Sequence, residues 1–102
     1  MNIALLYVTY PNQTEASATV DTLLAEKLIA CANFFPITSS LYWQGQKSVG
    51  NEVVALMKTS TDRAADVEAR VLGLHSYDVP CVLQFPVEAN ESYAKWIQNT
   101  VE

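Results

Sequence analysis

Glu52-Val53-Val54-Ala55-Leu56-Met57-Lys58-Thr59 is the stretch that decides the fold. Its apolar middle lacks the polar alternation of a strand that keeps one face in water. The paired valines and the closing threonine suit a strand. The chain opens on a second run of this kind, Ile3-Ala4-Leu5-Leu6-Tyr7-Val8. Two such strands imply a sheet with both faces dry. A chain of 102 residues has too little left over for another layer. The second face is therefore expected to be covered by another copy of the chain.

Just upstream, Gly50-Asn51 reads as an irregularity and Gln44-Gly45-Gln46-Lys47 as a hairpin tip. Cys31 to Trp43 carries Phe34, Phe35, Ile37, Thr38, Leu41, Tyr42 and Trp43, an aromatic and β-branched set. Pro36 inside it places this strand at a sheet edge, or breaks it with a bulge. Further back, Ala16, Val20, Leu23, Leu24 and Leu28 recur at helical spacing. Asn12 is the expected N-cap and Glu15 completes a capping-box pattern, opening a helix of about four turns.

Downstream, Ser60 or Thr61 is expected to cap a second helix, with Asp62 in its first turn and Ala64, Val67, Val71 and Leu74 on its buried face. Val79 to Val87 reads as a strand, with Pro80 and Pro86 near its ends marking another edge. Asn90 is expected to cap a last helix with the apolar stripe Tyr93, Trp96 and Ile97. This order, β-α-β-β-α-β with an extra C-terminal helix, predicts an α+β, ferredoxin-like fold over residues 1–102, one domain with an antiparallel sheet. Its usual strand order, 4-1-3-2, sends both proline-bearing strands to the edges.

Lys and Arg number 6 against 11 Asp and Glu, for a net charge of −5. That balance repels phosphate backbones and anionic membrane surfaces, so neither nucleic acid nor membrane is an expected partner. The start lacks a positive n-region and a cleavage site, which predicts a cytoplasmic home. Cys31 and Cys81 are expected at opposite sheet edges, ~14 Å apart at the usual strand spacing, too far for a disulfide or a shared metal within one chain.

Chemistry has few places to sit. His75, in Leu74-His75-Ser76-Tyr77-Asp78-Val79-Pro80, is the only histidine and is expected in a partly exposed turn. It is a candidate ligand for a divalent metal such as copper, or a helix C-terminal cap. Lys58, at a strand end, is a candidate anion holder or a solvated end. Tyr77 adds a hydroxyl beside His75. A cleft between subunits could bring Lys58, His75 and Tyr77 together around a small anionic ligand. Tyr42 and Trp43, before the hairpin tip, read as interface anchors. Phosphate loop, nucleophile elbow and Cys/His cluster are all missing, so a non-enzymatic protein is expected. The alternative is an enzyme using Lys58, His75 and Tyr77 as base and anion holder.

Several separated motifs, in order, resemble the CutA family: Thr9-Tyr10-Pro11; Leu28-Ile29-Ala30-Cys31-Ala32-Asn33; Pro36; Tyr42-Trp43 with Gly45; Glu52 and Lys58-Thr59; His75-Ser76-Tyr77-Asp78-Val79-Pro80; Tyr93 and Trp96. The resemblance implies a homotrimer whose second and third strands form a hairpin reaching to its neighbours. It also implies a cytoplasmic role in tolerance to copper and other divalent cations, without established catalysis. The architecture is similar to that of PII signalling trimers, which bind effectors between subunits, and this supplies a further alternative with no direct metal role. The chain departs from the family pattern at Leu41, Gln44, Gln46, Ser76 and Cys81. At two positions where some members carry proposed copper ligands it has Val8 and Leu74, so His75 alone remains of that set.

Overall fold

The computed structural model describes every residue from Met1 to Glu102. Four strands and three helices follow in the expected order: β1 (Asn2–Tyr10), α1 (Gln13–Ala25), β2 (Cys31–Trp43), β3 (Gln46–Thr59), α2 (Ala64–Leu74), β4 (Val82–Glu88) and α3 (Glu91–Thr100). The sheet order is β2-β3-β1-β4, antiparallel throughout, so the fold is ferredoxin-like and both proline-bearing strands are edges.

Pairing explains how the two apolar runs are buried. On one face Ala4, Leu6, Val8, Tyr10, Ala55 and Met57 meet Ala16, Val20 and Leu23 of α1 and Ala64, Val67 and Val71 of α2. The opposite face carries Leu5, Tyr7 and Thr9, whose partners in β3 are Lys58, Leu56 and Val54. Only one end of that face is covered: α3 brings Ala94 and Ile97 down on Ile3 and Ala30. The rest leaves Phe35, Leu41, Trp43, Leu83 and Phe85 more than a third exposed.

The β2–β3 hairpin is longer than its sequence punctuation suggests. Pairing runs unbroken from Cys31↔Lys58 to Trp43↔Gln46, through Pro36↔Val53 and Ser39↔Gly50. Pro36 therefore makes no bulge and Gly50-Asn51 no irregularity. An edge strand needs ladder donors on one side only, which accommodates the proline. The tip is the two-residue turn Gln44-Gly45, with φ of 52° and 79°. Positive φ at both positions matches the right-handed twist of the strands, and Gly45 adopts it without strain. The outer half of the hairpin stands free as an arm and stretches the molecule to 45 × 24 × 20 Å.

Helix starts differ from expectation in instructive ways. Asn12 does cap α1, its Oδ1 accepting from the Glu15 N–H at 2.9 Å. The Glu15 carboxylate does not close the box; it accepts from the Ser76 N–H at 3.2 Å. Helix α1 stops at Ala25, because Lys27 turns left-handed (φ 57°) and the Leu28 N–H bonds back to the Leu23 carbonyl. Helix α2 begins only at Ala64, with neither Ser60 nor Thr61 as its cap. Ser60 first, and the Asp62 backbone N–H next, hold the Asp62 carboxyl below its ordinary pKa. Asn90 precedes α3, but its amide bonds the Ser92 hydroxyl rather than a backbone N–H.

Candidate functional site

Where the arm leaves the body, a cleft of about 870 Å³ opens on the uncovered sheet face. Thr9, Ile37, Leu41, Trp43 and Glu52 line it on the sheet side, and Tyr77, Val79 and Cys81 on the side of the turn between α2 and β4. That turn is held by a chain of polar contacts. The Tyr77 hydroxyl donates to Glu52 Oε2 at 2.7 Å, tying the turn to the base of the arm. Burial first, and the Glu52 carboxylate next, push the Tyr77 pKa well above the ordinary phenol value.

His75 lies beneath this contact, with a side chain 0% exposed. The expectation of a partly exposed turn is thus corrected for this residue. Its backbone does leave the helix, but the ring folds inward and stacks on Tyr10 at 4.6 Å and 12°. Its Nδ1 accepts from the Tyr77 N–H at 3.1 Å, and its Nε2 lies 2.7 Å from the Thr9 carbonyl. A backbone N–H can only donate, so Nδ1 holds the lone pair and Nε2–H donates to Thr9. Both ring nitrogens are engaged, and the nearest carboxylate oxygen, from Glu15, is 3.8 Å from Nδ1.

Tyr10 closes the network from below. It is fully buried, and its hydroxyl has no hydrogen-bond partner. Thr19, near enough to moderate the shift, does not complete a bond, and burial pushes the Tyr10 pKa from 10.0 to about 12. A folded-state value above the unfolded one favours the fold while both forms are protonated. This contribution is whole below pH 10 and is lost as pH rises toward 12. Tyr10→Phe removes the orphaned hydroxyl. It should raise stability by about 1 kcal/mol and make the alkaline loss less steep, measured by urea unfolding at pH 7 and pH 11.

Lys58 is elsewhere. It lies six positions along β3 from Glu52, roughly 20 Å at the usual rise of a strand. Its Nζ donates to the Tyr93 hydroxyl at 3.2 Å and lies 5.4 Å from that ring's centre. Cys31, its cross-strand partner, places Sγ 3.3 Å from the same hydroxyl. The hydrogen bond to Cys31, then burial, raises the Tyr93 pKa, while Lys58 pulls it down. Of the six Lys and Arg side chains, Lys27, Arg63, Arg70 and Lys95 each pair with a carboxylate; Lys47, exposed on the arm, and Lys58, half-buried, have none. One chain therefore brings His75 and Tyr77 together but not Lys58, so the three-residue enzyme site is not assembled within it. Tyr42 and Trp43 lie at the arm's end, 78% and 46% exposed. No group of three or more His, Cys, Asp or Glu side chains comes together to hold a metal. Cys31 and Cys81 are unpaired.

Fold and cleft define the class: a ferredoxin-like α+β domain with an extended hairpin arm and an open apolar sheet face. The sequence model of the CutA1 divalent ion tolerance protein family matches residues 4–100. The divalent-cation tolerance protein CutA of Archaeoglobus fulgidus is 37% identical over 98 residues, 95% of this chain and 96% of that one. Its counterpart in Pyrococcus horikoshii is 38% identical over 94 residues, 91% and 92% of the two chains. The crystal structure of CutA1 from Pyrococcus horikoshii superposes with a TM-score of 0.94 at 35% identity, covering 97% of this chain and 98% of that one. This chain belongs to the CutA1 divalent ion tolerance protein family.

Proposed function

We propose that the chain works as a non-enzymatic homotrimer in the response to divalent cations, copper among them, and takes a small ligand in clefts between its subunits. The observation that carries this reading is the open apolar sheet face continuous with the cleft of Glu52 and Tyr77. A contiguous apolar face left exposed on a single chain marks a surface that takes a partner. A second copy offers the matching surface and an arm long enough to reach across. The assembly would close each cleft from the open side. The cytoplasm is the proposed compartment, on the strength of two free thiols, although the Archaeoglobus relative is called periplasmic.

Between direct metal binding and an effector-binding, PII-like role, the geometry favours the second. His75 would have to surrender a hydrogen bond to reach a metal, and the carboxylates near it are already engaged with Ser76 and Tyr77. Light scattering should give a mass of about three times 11.3 kDa. Isothermal titration of copper(II) into wild type and His75→Gln then separates the two roles. Heat present in wild type and lost in the variant would establish a histidine ligand. Equal, weak heat in both would leave the metal response indirect.

A further inference from the structure

The end of the same sheet face that α3 covers carries a second chemistry. We propose that Cys31 is a nucleophilic thiol, set up by Tyr93 and Lys58, that undergoes exchange with small disulfides bearing a carboxylate. The site is separate from the cleft of Glu52 and Tyr77 and does not depend on the reading given to that cleft.

Hydrogen-bond directions carry the argument. The Lys58 ammonium can only donate, so the Tyr93 oxygen 3.2 Å away accepts from it. A thiolate can only accept. Once Cys31 has lost its proton, the Tyr93 O–H, 3.3 Å from Sγ, is the donor already in place. Donation from Lys58 polarises the phenol and strengthens the bond it gives to sulfur. The thiolate is the reactive form of cysteine, and groups that stabilise it beside a cation are those found around reactive thiols.

The choice of partner follows from charge and placement. Lys58 is half-buried and without a carboxylate in a chain of 11 acidic residues. An ammonium left so is a seat for an incoming anion. Cys31 is half-buried at the first residue of edge strand β2, so its outer side carries no neighbouring strand. In the exchange the Cys31 proton passes to solvent. The sulfur then attacks one sulfur of the disulfide, a Cys31–S bond forms, and the original S–S bond breaks. The electron pair leaves on the departing thiolate, which takes a proton from water. Cys31 is oxidised, half of the disulfide is reduced, and no other oxidant is needed.

Cys81 is the internal control. It is also half-buried, and it lies beside the opposite edge strand without a Lys or Tyr hydrogen bond. The reduced, full-length protein is treated with the dianionic disulfide dithiobis(nitrobenzoate) or with the dicationic disulfide cystamine, and each labelled cysteine is followed by peptide mass spectrometry. The net charge of −5 acts on both thiols, so their ratio isolates the local effect. With the anionic disulfide Cys31 should react about tenfold or more faster than Cys81, and Lys58→Met should cut that advantage about tenfold while sparing the reaction with cystamine. Lys58→Arg should keep the preference for the anion, and Tyr93→Phe should slow both disulfides. Wild-type Cys31 reacting no faster than Cys81 would overturn the proposal whether or not any variant folds. Equal slowing of both disulfides by Lys58→Met would overturn the anion-seat role.

Discussion

His75→Ala should destabilise the folded chain by about 3 kcal/mol, measured as the shift in urea-unfolding free energy at pH 7. The ring is fully buried and fills the space between Tyr10 and Tyr77. Its loss leaves a cavity against Tyr10. It also leaves the Thr9 carbonyl and the Tyr77 N–H without their partner. Each orphaned buried group costs about 1–3 kcal/mol, and the cavity adds to that. Two substitutions divide the effect. Asparagine can reproduce the acceptor at Nδ1 and glutamine the donor at Nε2, so each should recover part of the loss. A His75→Ala protein within 0.5 kcal/mol of wild type would show that the network does not hold the turn. The same experiment reads the cleft: if Tyr77 loses its anchor, its bond to Glu52 weakens and the 75–81 turn becomes mobile, which hydrogen exchange at Tyr77 would detect.

Why the sequence conveyed so much of the fold and less of the site is visible in single residues. The β-α-β-β-α-β order carried the strand order, and the prolines agreed with it, because a missing N–H is a property of the residue itself. The caps were harder to read. Ser60 and Asn90 have the right chemistry, but local neighbours compete for a short polar side chain: Asn90 bonds the Ser92 hydroxyl two residues on, and α2 begins four residues after Ser60. Gly50-Asn51 looked like a break because glycine weakens strands, yet the pairing with Ser39 and Thr38 overrides that preference. His75 was misplaced because a residue following a helix is usually near water; only the packing of Tyr10 against the same turn shows otherwise.

The Cys31–Tyr93–Lys58 group was half legible. A two-residue turn at Gln44-Gly45 makes Trp43 the partner of Gln46, and counting back along the hairpin sets Cys31 opposite Lys58. Reading the tip as four residues hid that register. Tyr93 could not have been added from pattern alone, since it depends on α3 packing across the second face of the sheet. The bond between Glu52 and Tyr77 is of the same kind: both residues stood in quoted motifs, but only the tertiary fold joins them.

Leu83→Asp should dissolve the assembly while leaving each chain folded. Leu83 is on β4, opposite Tyr7, on the open face, and is 49% exposed in the single chain. In an isolated chain an aspartate there keeps access to water, and the substitution should change folding stability by less than about 1 kcal/mol. In the proposed trimer the same position is covered, and an unpaired carboxylate left there costs about 3–5 kcal/mol at each interface. The mass by light scattering should therefore fall toward 11.3 kDa, with circular dichroism unchanged. Trp43→Ala tests the arm independently. Trp43 ends β2 at the turn and is 46% exposed in the single chain. Its loss should weaken assembly by about 2 kcal/mol, as for a buried aromatic anchor. Because the two positions lie on different parts of the surface, the pair also distinguishes modes of contact. Loss of assembly with Leu83→Asp alone would place the contact on the sheet and leave the arm free. Loss with Trp43→Ala alone would mean that the arm carries the contact and that the open sheet face serves something other than a second copy. A wild-type chain that stays monomeric at micromolar concentration would remove the basis for both.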